Sequence, residues 1–306
     1  MERNGQKHLF GAVETGGTKV ICAVGTADGE ILAETRIPTT SPNETLGQAL
    51  AFFRQQNEAL GPLTSIGIAS FGPLDLRPES SSYGQILATP KPGWANVDVI
   101  EPFRSALRVP IGIDTDVNSA ALGEGRWGAG KGLKTFIYLT IGTGIGGGGL
   151  INGTPLHGLL HPEMGHIALP HDMESDPFQG VCPFHRDCFE GMASGPAIEK
   201  RWGAKAEDLT FDHPAWELEV HYIALALRNF ICTLSPERII LGGGVMQQSQ
   251  LFLSIRAKTA ASLNGYIHVP SILDRMDEYI VPAGLRGKSG LLGALVLAET
   301  AAGARE

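Results

Sequence analysis

Short apolar runs recur along the chain, and most of them end at glycine, proline or a small polar residue. Leu9 to Val13 and Val20 to Val24 read as paired strands around the turn Glu14-Thr-Gly-Gly-Thr-Lys19, with Ile31 to Ile37 as a third strand. Behind Ser41-Pro-Asn-Glu44, the residues Leu46, Leu50, Phe53 and Leu60 fall at helical spacing. Ser65 to Ser70 reads as a buried strand ending at Phe71-Gly-Pro73. The following stretch, to about residue 108, contains repeated prolines and reads as mobile or ligand-facing rather than core. Pro110 to Ile113 is a short strand that runs through Asp114-Thr-Asp-Val-Asn118 into a helix from Ser119 to Leu122.

The pattern then restarts. Phe136 to Ile141 is a strand, Thr140-Ile-Gly-Thr-Gly-Ile-Gly-Gly-Gly148 a second glycine-rich loop, and the chain returns as a strand to Ile151. Residues 157–195 carry no periodicity but many potential ligands. An amphipathic helix is expected over Ala215 to Leu234, followed by the strand Arg238 to Leu241, a third glycine run Gly242 to Gly244, and helix, strand and helix to the end. Strands alternating with helices in both halves predict an α/β architecture.

Composition narrows the class. A chain of 306 residues favours two domains, and 43% hydrophobic with 18% charged residues fits a globular protein. The 40 glycines exceed the usual share of roughly 7% and sit in loops beside strands. A net charge of −8 argues against nucleic acid as the main partner. No apolar run approaches the roughly 18 residues that span a bilayer, and the first residues lack a signal-peptide core, so a cytoplasmic protein with no membrane partner is expected.

The chemistry sits in the loops. Glycines allow close backbone approach, and exposed N–H groups with threonine hydroxyls form concave anion sites, so two such loops suit a nucleoside triphosphate and phosphoryl transfer. Two other matches fail on context. Gly125-Arg-Trp-Gly-Ala-Gly130-Lys131-Gly132 resembles a P-loop but lacks the Ser/Thr after lysine and follows a helix. Gly142-x-Gly144-x-x-Gly147 is followed by a strand, not the helix of a dinucleotide fold. Asp116 is the candidate general base for a sugar hydroxyl, with helix capping as its bland alternative and Asp114 as a competitor.

Of four cysteines, Cys22 and Cys232 read as small buried hydrophobes. Cys182-Pro-Phe-His185-Arg-Asp-Cys188 offers two thiolates and an imidazole to one ion. A fourth donor would close a tetrahedral structural zinc site, with His166 favoured over His171, His161 and His157. A Cys182–Cys188 disulfide is the competing reading, weakened by the reducing compartment. Glu163 and Glu190 flank this element and suit vicinal sugar hydroxyls, or are solvated loop charges. Trp94, in Pro90-Lys-Pro-Gly-Trp-Ala-Asn96, is either a sugar-stacking platform or a packing anchor.

Taken together, Glu14-Thr-Gly-Gly-Thr-Lys19, Thr115-Asp-Val-Asn118, the second glycine loop, Glu163-Met-Gly-His166, the cysteine cluster and Leu241-Gly-Gly-Gly244 resemble the ROK family of sugar kinases over essentially the whole chain. The resemblance implies an actin/hexokinase-like (ribonuclease H-like) duplicated fold of two α/β domains around a central cleft. The expected boundaries are 1–115 and 116–306, with the last helix free to pack back on the first domain. It implies Asp116 as general base, with Glu163, His166, Glu190 and Asn96 as sugar-binding residues. It places Gly16, Gly17, Thr18, Lys19, Thr140, Thr143, Gly144, Pro196 and Gly243 at ATP, with Mg2+ bridging the β- and γ-phosphates. Zn2+ would be held by His166, Cys182, His185 and Cys188, and a homodimer is the expected assembly.

Departures from the commoner family pattern point within it. Glu14 stands where many members have Asp, Thr115 precedes the catalytic aspartate in place of Asn, and the metal cluster contains His185. These resemble the fructokinase branch, implying transfer from ATP to D-fructose to give fructose 6-phosphate and ADP. A glucokinase, mannokinase or broad-range hexokinase is the alternative within the class. A sugar-responsive repressor or non-catalytic sensor is the alternative outside it, and the position of the first loop at residue 14 leaves no room for a helix-turn-helix ahead of it.

Overall fold

The computed structural model describes residues 8–304. The chain divides into two compact units. The first runs to Lys131 and takes in residues 155–162 and the segment from Lys288 onward; the second comprises 132–154 and 163–287.

The first unit contains the strands β1 (Phe10–Thr15), β2 (Lys19–Gly25), β3 (Ile31–Pro38), β4 (Ser65–Ser70) and β5 (Ile111–Thr115). With them go helices α1 (Pro42–Leu60), α2 (Glu101–Leu107) and α3 (Asp116–Trp127). The sheet order is β3-β2-β1-β4-β5; β1 and β3 flank β2 antiparallel, while β1, β4 and β5 run parallel. β4 is buried at every position, as a central parallel strand covered on both faces must be. The chain's last helix, which closes this unit, spans Ser289–Gly303. It packs on α3 and β4, and three glycines permit the approach: a Cβ at Gly67 would lie 1.8 Å from the Ala294 carbonyl oxygen, one at Gly293 1.6 Å from that of Ser119, and one at Gly123 2.4 Å from that of Ser289. The division therefore falls after Lys131 rather than at 115/116, because α3 spends its buried face on this last helix and β4.

The second unit repeats the topology. Its strands are β6 (Phe136–Ile141), β7 (Ile145–Ile151), β8 (Thr154–Pro155), β9 (Arg238–Gly242) and β10 (Ile280–Pro282), in the order β10-β9-β6-β7-β8. Read from the other edge this is third, second, first, fourth and fifth strand, as in the first unit. β6–β7 is the antiparallel hairpin, and β6, β9 and β10 are parallel. Its helices are α4 (Phe189–Ala193), α5 (Gly195–Trp202), α6 (Ala215–Leu234), α7 (Leu251–Leu263), α8 (Pro270–Leu273) and α9 (Met276–Tyr279); the last helix of the chain, α10, belongs to the first unit. No helix among the described residues is long and apolar enough to cross a membrane.

Two expectations fail. The proline-containing stretch after Pro73 is not a mobile surface: Leu74, Ile86, Trp94, Val99, Ile100 and Phe103 all belong to the apolar core of the first unit. A buried carboxylate replaces regular structure there. Asp75 accepts two hydrogen bonds from the Arg77 guanidinium (2.9 and 2.7 Å) and one each from the Ser80 and Ser82 hydroxyls (both 2.6 Å). Cys232, expected inside, is exposed, because it falls on the outer face of α6 near its C-terminal end.

Candidate active site

In the first unit, the β1–β2 turn is the first glycine loop. Its hydrogen bonds are local: Gly16 N–H donates to the Lys19 carbonyl (2.9 Å), and the Thr39 hydroxyl donates to the Gly16 carbonyl (2.7 Å). Gly17, Thr18 and Lys19 are exposed, and a side chain at Gly17 would meet nothing within 4 Å, so the loop presents bare backbone. The Lys91 ammonium donates to the Gly17 carbonyl at 2.6 Å and to the Thr39 carbonyl at 3.3 Å, fixing the loop from outside. Sequence reading passed over Lys91; its only signal was a lone cation in the Pro90–Asn96 turn.

Asp116 opens α3 directly after β5. The capping is done by Thr115, whose Oγ1 accepts from Asn118 N–H at 3.1 Å, so the capping explanation of Asp116 falls away. Asp116 is half-buried, and its Oδ1 accepts from the amide of Val117 at 2.9 Å. Burial, followed by the nearby Glu14 carboxylate, pushes its pKa up to about 7. Glu14, at the end of β1, is likewise raised to about 7, mainly by burial. Its Oε2 is buried with no partner among the described residues. Two carboxylates that share one environment, each with its pKa raised to about 7, exchange protons near neutrality and suit proton acceptance and cation binding. Asp114 is a different case: buried, it accepts from the Thr115 amide (2.7 Å) and from Asn118 Nδ2 (2.9 Å), which commits it to the turn.

Trp94 is an anchor. It is fully buried, edge-on to Phe71, and its indole N–H donates to the Thr40 carbonyl at 2.9 Å. Asn96, two residues on, is exposed with φ of 61°, and its amide donates to the Ile86 carbonyl at 2.7 Å, leaving its side chain outward.

In the second unit the turn between β6 and β7 is the second glycine loop, which joins two other elements. Gly195 N–H, at the start of α5, donates to the Gly142 carbonyl at 2.7 Å, and a Cβ on Gly142 would come 3.4 Å from the Gly244 amide nitrogen. Thr140, Thr143, Gly144, Pro196 and Gly243 are thereby brought together. Gly243 has φ of 92°, and a Cβ there would lie 2.3 Å from the Ile141 carbonyl oxygen, so only glycine fits. Glu190, on α4, places Oε2 2.9 Å from Ile145 N–H and accepts its hydrogen bond. It is thus tied to the glycine loop rather than solvated. Glu163 is exposed and its carbonyl accepts from the His166 amide at 3.0 Å, closing the single turn Met164–His166.

The cysteine loop is a knuckle. Cys182 and Arg186 pair through both backbone bonds (3.2 and 3.0 Å), and Arg186 adopts φ of 60°. The donor atoms of His166, Cys182, His185 and Cys188 all lie within 4.8 Å of one another. Sγ of Cys182 is 3.7 Å from His166 Nδ1 and 3.8 Å from His185 Nδ1, and Sγ of Cys188 is 3.5 Å from His166 Nδ1. Tetrahedral Zn–S and Zn–N bonds place donors roughly 3.4–3.8 Å apart, so the set fits one zinc ion. The rival histidines are engaged elsewhere. His171 uses its ring nitrogens on the Asp176 carbonyl and the Asp187 carboxylate, His161 accepts from Leu74 N–H, and His157 donates to Asp114. Both cysteines are free thiols, so the disulfide reading is corrected.

A turn that bares backbone amides, a carboxylate of raised pKa at a helix start, and a repeated sheet topology define an α/β phosphotransferase-like architecture. Residues 10–301 match the ROK family, and the chain belongs to that family. It is 46% identical to a fructokinase of Zymomonas mobilis over 299 residues, covering 95% of this chain and 97% of the relative. With a fructokinase of Pediococcus pentosaceus it shares 44% over 293 residues, covering 96% and 98%. Among solved structures, the ROK hexokinase from Thermus thermophilus superposes with a TM-score of 0.77 at 26% identity, covering 96% of this chain and 98% of that one. The fold is the actin-like fold of the sugar kinases.

Proposed function

We propose that the protein transfers the γ-phosphoryl group of ATP to D-fructose, giving fructose 6-phosphate and ADP. The observation that carries the chemistry is Asp116: a half-buried carboxylate of raised pKa, relieved of capping by Thr115, at a strand–helix junction. The sugar hydroxyl's proton passes to Asp116 as its oxygen attacks the γ-phosphorus, and the bond to the ADP oxygen breaks. The sugar assignment is supported by whole-length similarity to fructokinases.

Gly16, Gly17, Thr18 and Lys19 of the first unit, and Thr140, Thr143, Gly144, Pro196 and Gly243 of the second, would hold ATP through backbone amides and hydroxyls. The unpartnered oxygen of Glu14 fits a magnesium ion arriving with the nucleotide. Magnesium, when bound, supplies neutralisation of phosphate charge. Glu163, His166, Glu190 and Asn96 are the sugar-binding candidates. His166, Cys182, His185 and Cys188 would hold a structural zinc ion, its four protein donors leaving no open position for catalysis. A homodimer and a cytoplasmic location belong to the same proposal, checked by light scattering and by fractionation.

The deciding experiment measures ADP release with fructose, glucose, mannose and N-acetylated hexoses at equal concentration. Fructose should give the highest kcat/KM; preference for another hexose by tenfold would overturn the sugar assignment while leaving the kinase reading intact.

A further inference from the structure

We propose that Asp114 and His157 form a positioning pair that holds the start of α3, and with it Asp116, in register for proton acceptance. This rests on the reading of Asp116 as the base. Neither residue has a role in that reading.

The observation is a chain of fixed donors around one buried carboxylate. Asp114 is 2% exposed and receives three different donors: the Thr115 amide at 2.7 Å, Asn118 Nδ2 at 2.9 Å and His157 Nε2 at 3.0 Å. The Thr115 hydroxyl separately accepts from the Asn118 backbone amide. Residues 115 and 118 are thus clamped on both sides of Asp116, whose own carboxylate keeps one bond, to Val117 N–H. Asn118 itself is fully buried, so the clamp cannot slide toward solvent.

His157 comes from the excursion 155–162, which packs with the first unit although the chain before and after it belongs to the second. The excursion has a second pin. His161 Nε2 accepts from Leu74 N–H at 2.9 Å, and its ring lies against Gly72, where a Cβ would come 3.1 Å from Cε1. Both imidazoles therefore address the strand ends of the sheet, and His157 Nε2 arrives at Asp114 already placed. Without His157, a buried carboxylate would lose its one donor, among the described residues, from outside its own turn. Asp114 could then rotate and let the α3 start shift; displacement of a catalytic group by about 1 Å can cost on the order of 10²-fold in rate.

The test is a His157 series in the zinc-loaded full chain, assayed with whichever hexose the wild type turns over fastest. His157→Ala should lower kcat about tenfold, with KM for ATP and sugar, zinc content and melting temperature little changed. His157→Gln, whose side-chain amide nitrogen reaches the Nε2 position, should recover kcat to within about threefold, and the shorter His157→Asn should not. Asp114→Asn, which replaces one acceptor oxygen by a donor, should lose more than His157→Ala. Should it fail to fold, the surface-accessible His157 series still decides. Wild-type kcat in His157→Ala, no advantage of Gln over Ala, or a loss confined to KM would overturn the pair. Asp116→Asn run alongside separates the two ideas: turnover by that variant would sink the base itself, whereas a dead Asp116→Asn with an unaffected His157→Ala sinks only the pair.

Discussion

Asp116 carries the sharpest consequence at the scale of single residues. Because burial and Glu14 raise its pKa to about 7, the carboxylate that must accept the proton is largely protonated in mild acid. kcat/KM is expected to rise with pH and level off above about 7, and Asp116→Asn should remove this limb together with at least 10²–10⁴ of the rate while ATP still binds. A pH–rate profile and a nucleotide titration on the variant check both. The same shifts affect stability with a definite sign. A carboxyl whose folded-state pKa is raised favours folding in acid, and that contribution is lost as pH rises through about 7. Glu14→Gln should therefore flatten the fall in melting temperature between about pH 5 and pH 8. Asp116 was legible as a residue type before a helix; its raised pKa was not, because burial and the distant Glu14 enter only through the fold.

At the scale of elements, the cysteine knuckle and α4 act as one piece. Cys188 ends the knuckle and Phe189–Ala193 follows at once, so Glu190, bound to Ile145 N–H, is positioned by the same donors that fit the metal. Gly191 leaves no room for slack: a Cβ there would lie 1.7 Å from the Arg186 carbonyl oxygen. Elemental analysis should find one zinc per chain, and Cys182→Ser should abolish it. With the metal gone, the melting temperature should drop and kcat fall at least about tenfold, since Glu190 and the glycine loop it holds lose their support. Zinc-free protein with unchanged melting and rate would refute this. The spacing of Cys182, His185 and Cys188 was readable directly. The fourth donor was a choice among four histidines; the fold sets His166 beside the two thiols, while Asp114, Leu74, Asp176 and Asp187 engage the other three.

For the whole molecule, α10 is the telling part. It lies at the far end of the sequence yet completes the unit in which the chain begins, burying Leu291, Leu292, Ala294, Leu295 and Ala298 against β4 and α3. Each buried leucine contributes about 1.5–3 kcal/mol, against total stabilities of about 5–15 kcal/mol, so a chain ending at Gly287 should lose the cooperative melting of the first unit by circular dichroism. The sequence by itself determined the alternation of strands and helices, the two glycine loops, the strand after the second that rules out a dinucleotide fold, and the knuckle, because these depend on periodicity and short spacing. It misread the stretch after Pro73 because Asp75 and the five hydrogen bonds it accepts stand in for an apolar pattern. Tertiary structure alone decided where the units divide, which histidine joins the thiols, what raises Asp116 and how Asp114 meets His157. Those facts depend on residues far apart in the chain that only folding brings within hydrogen-bonding or Coulomb range.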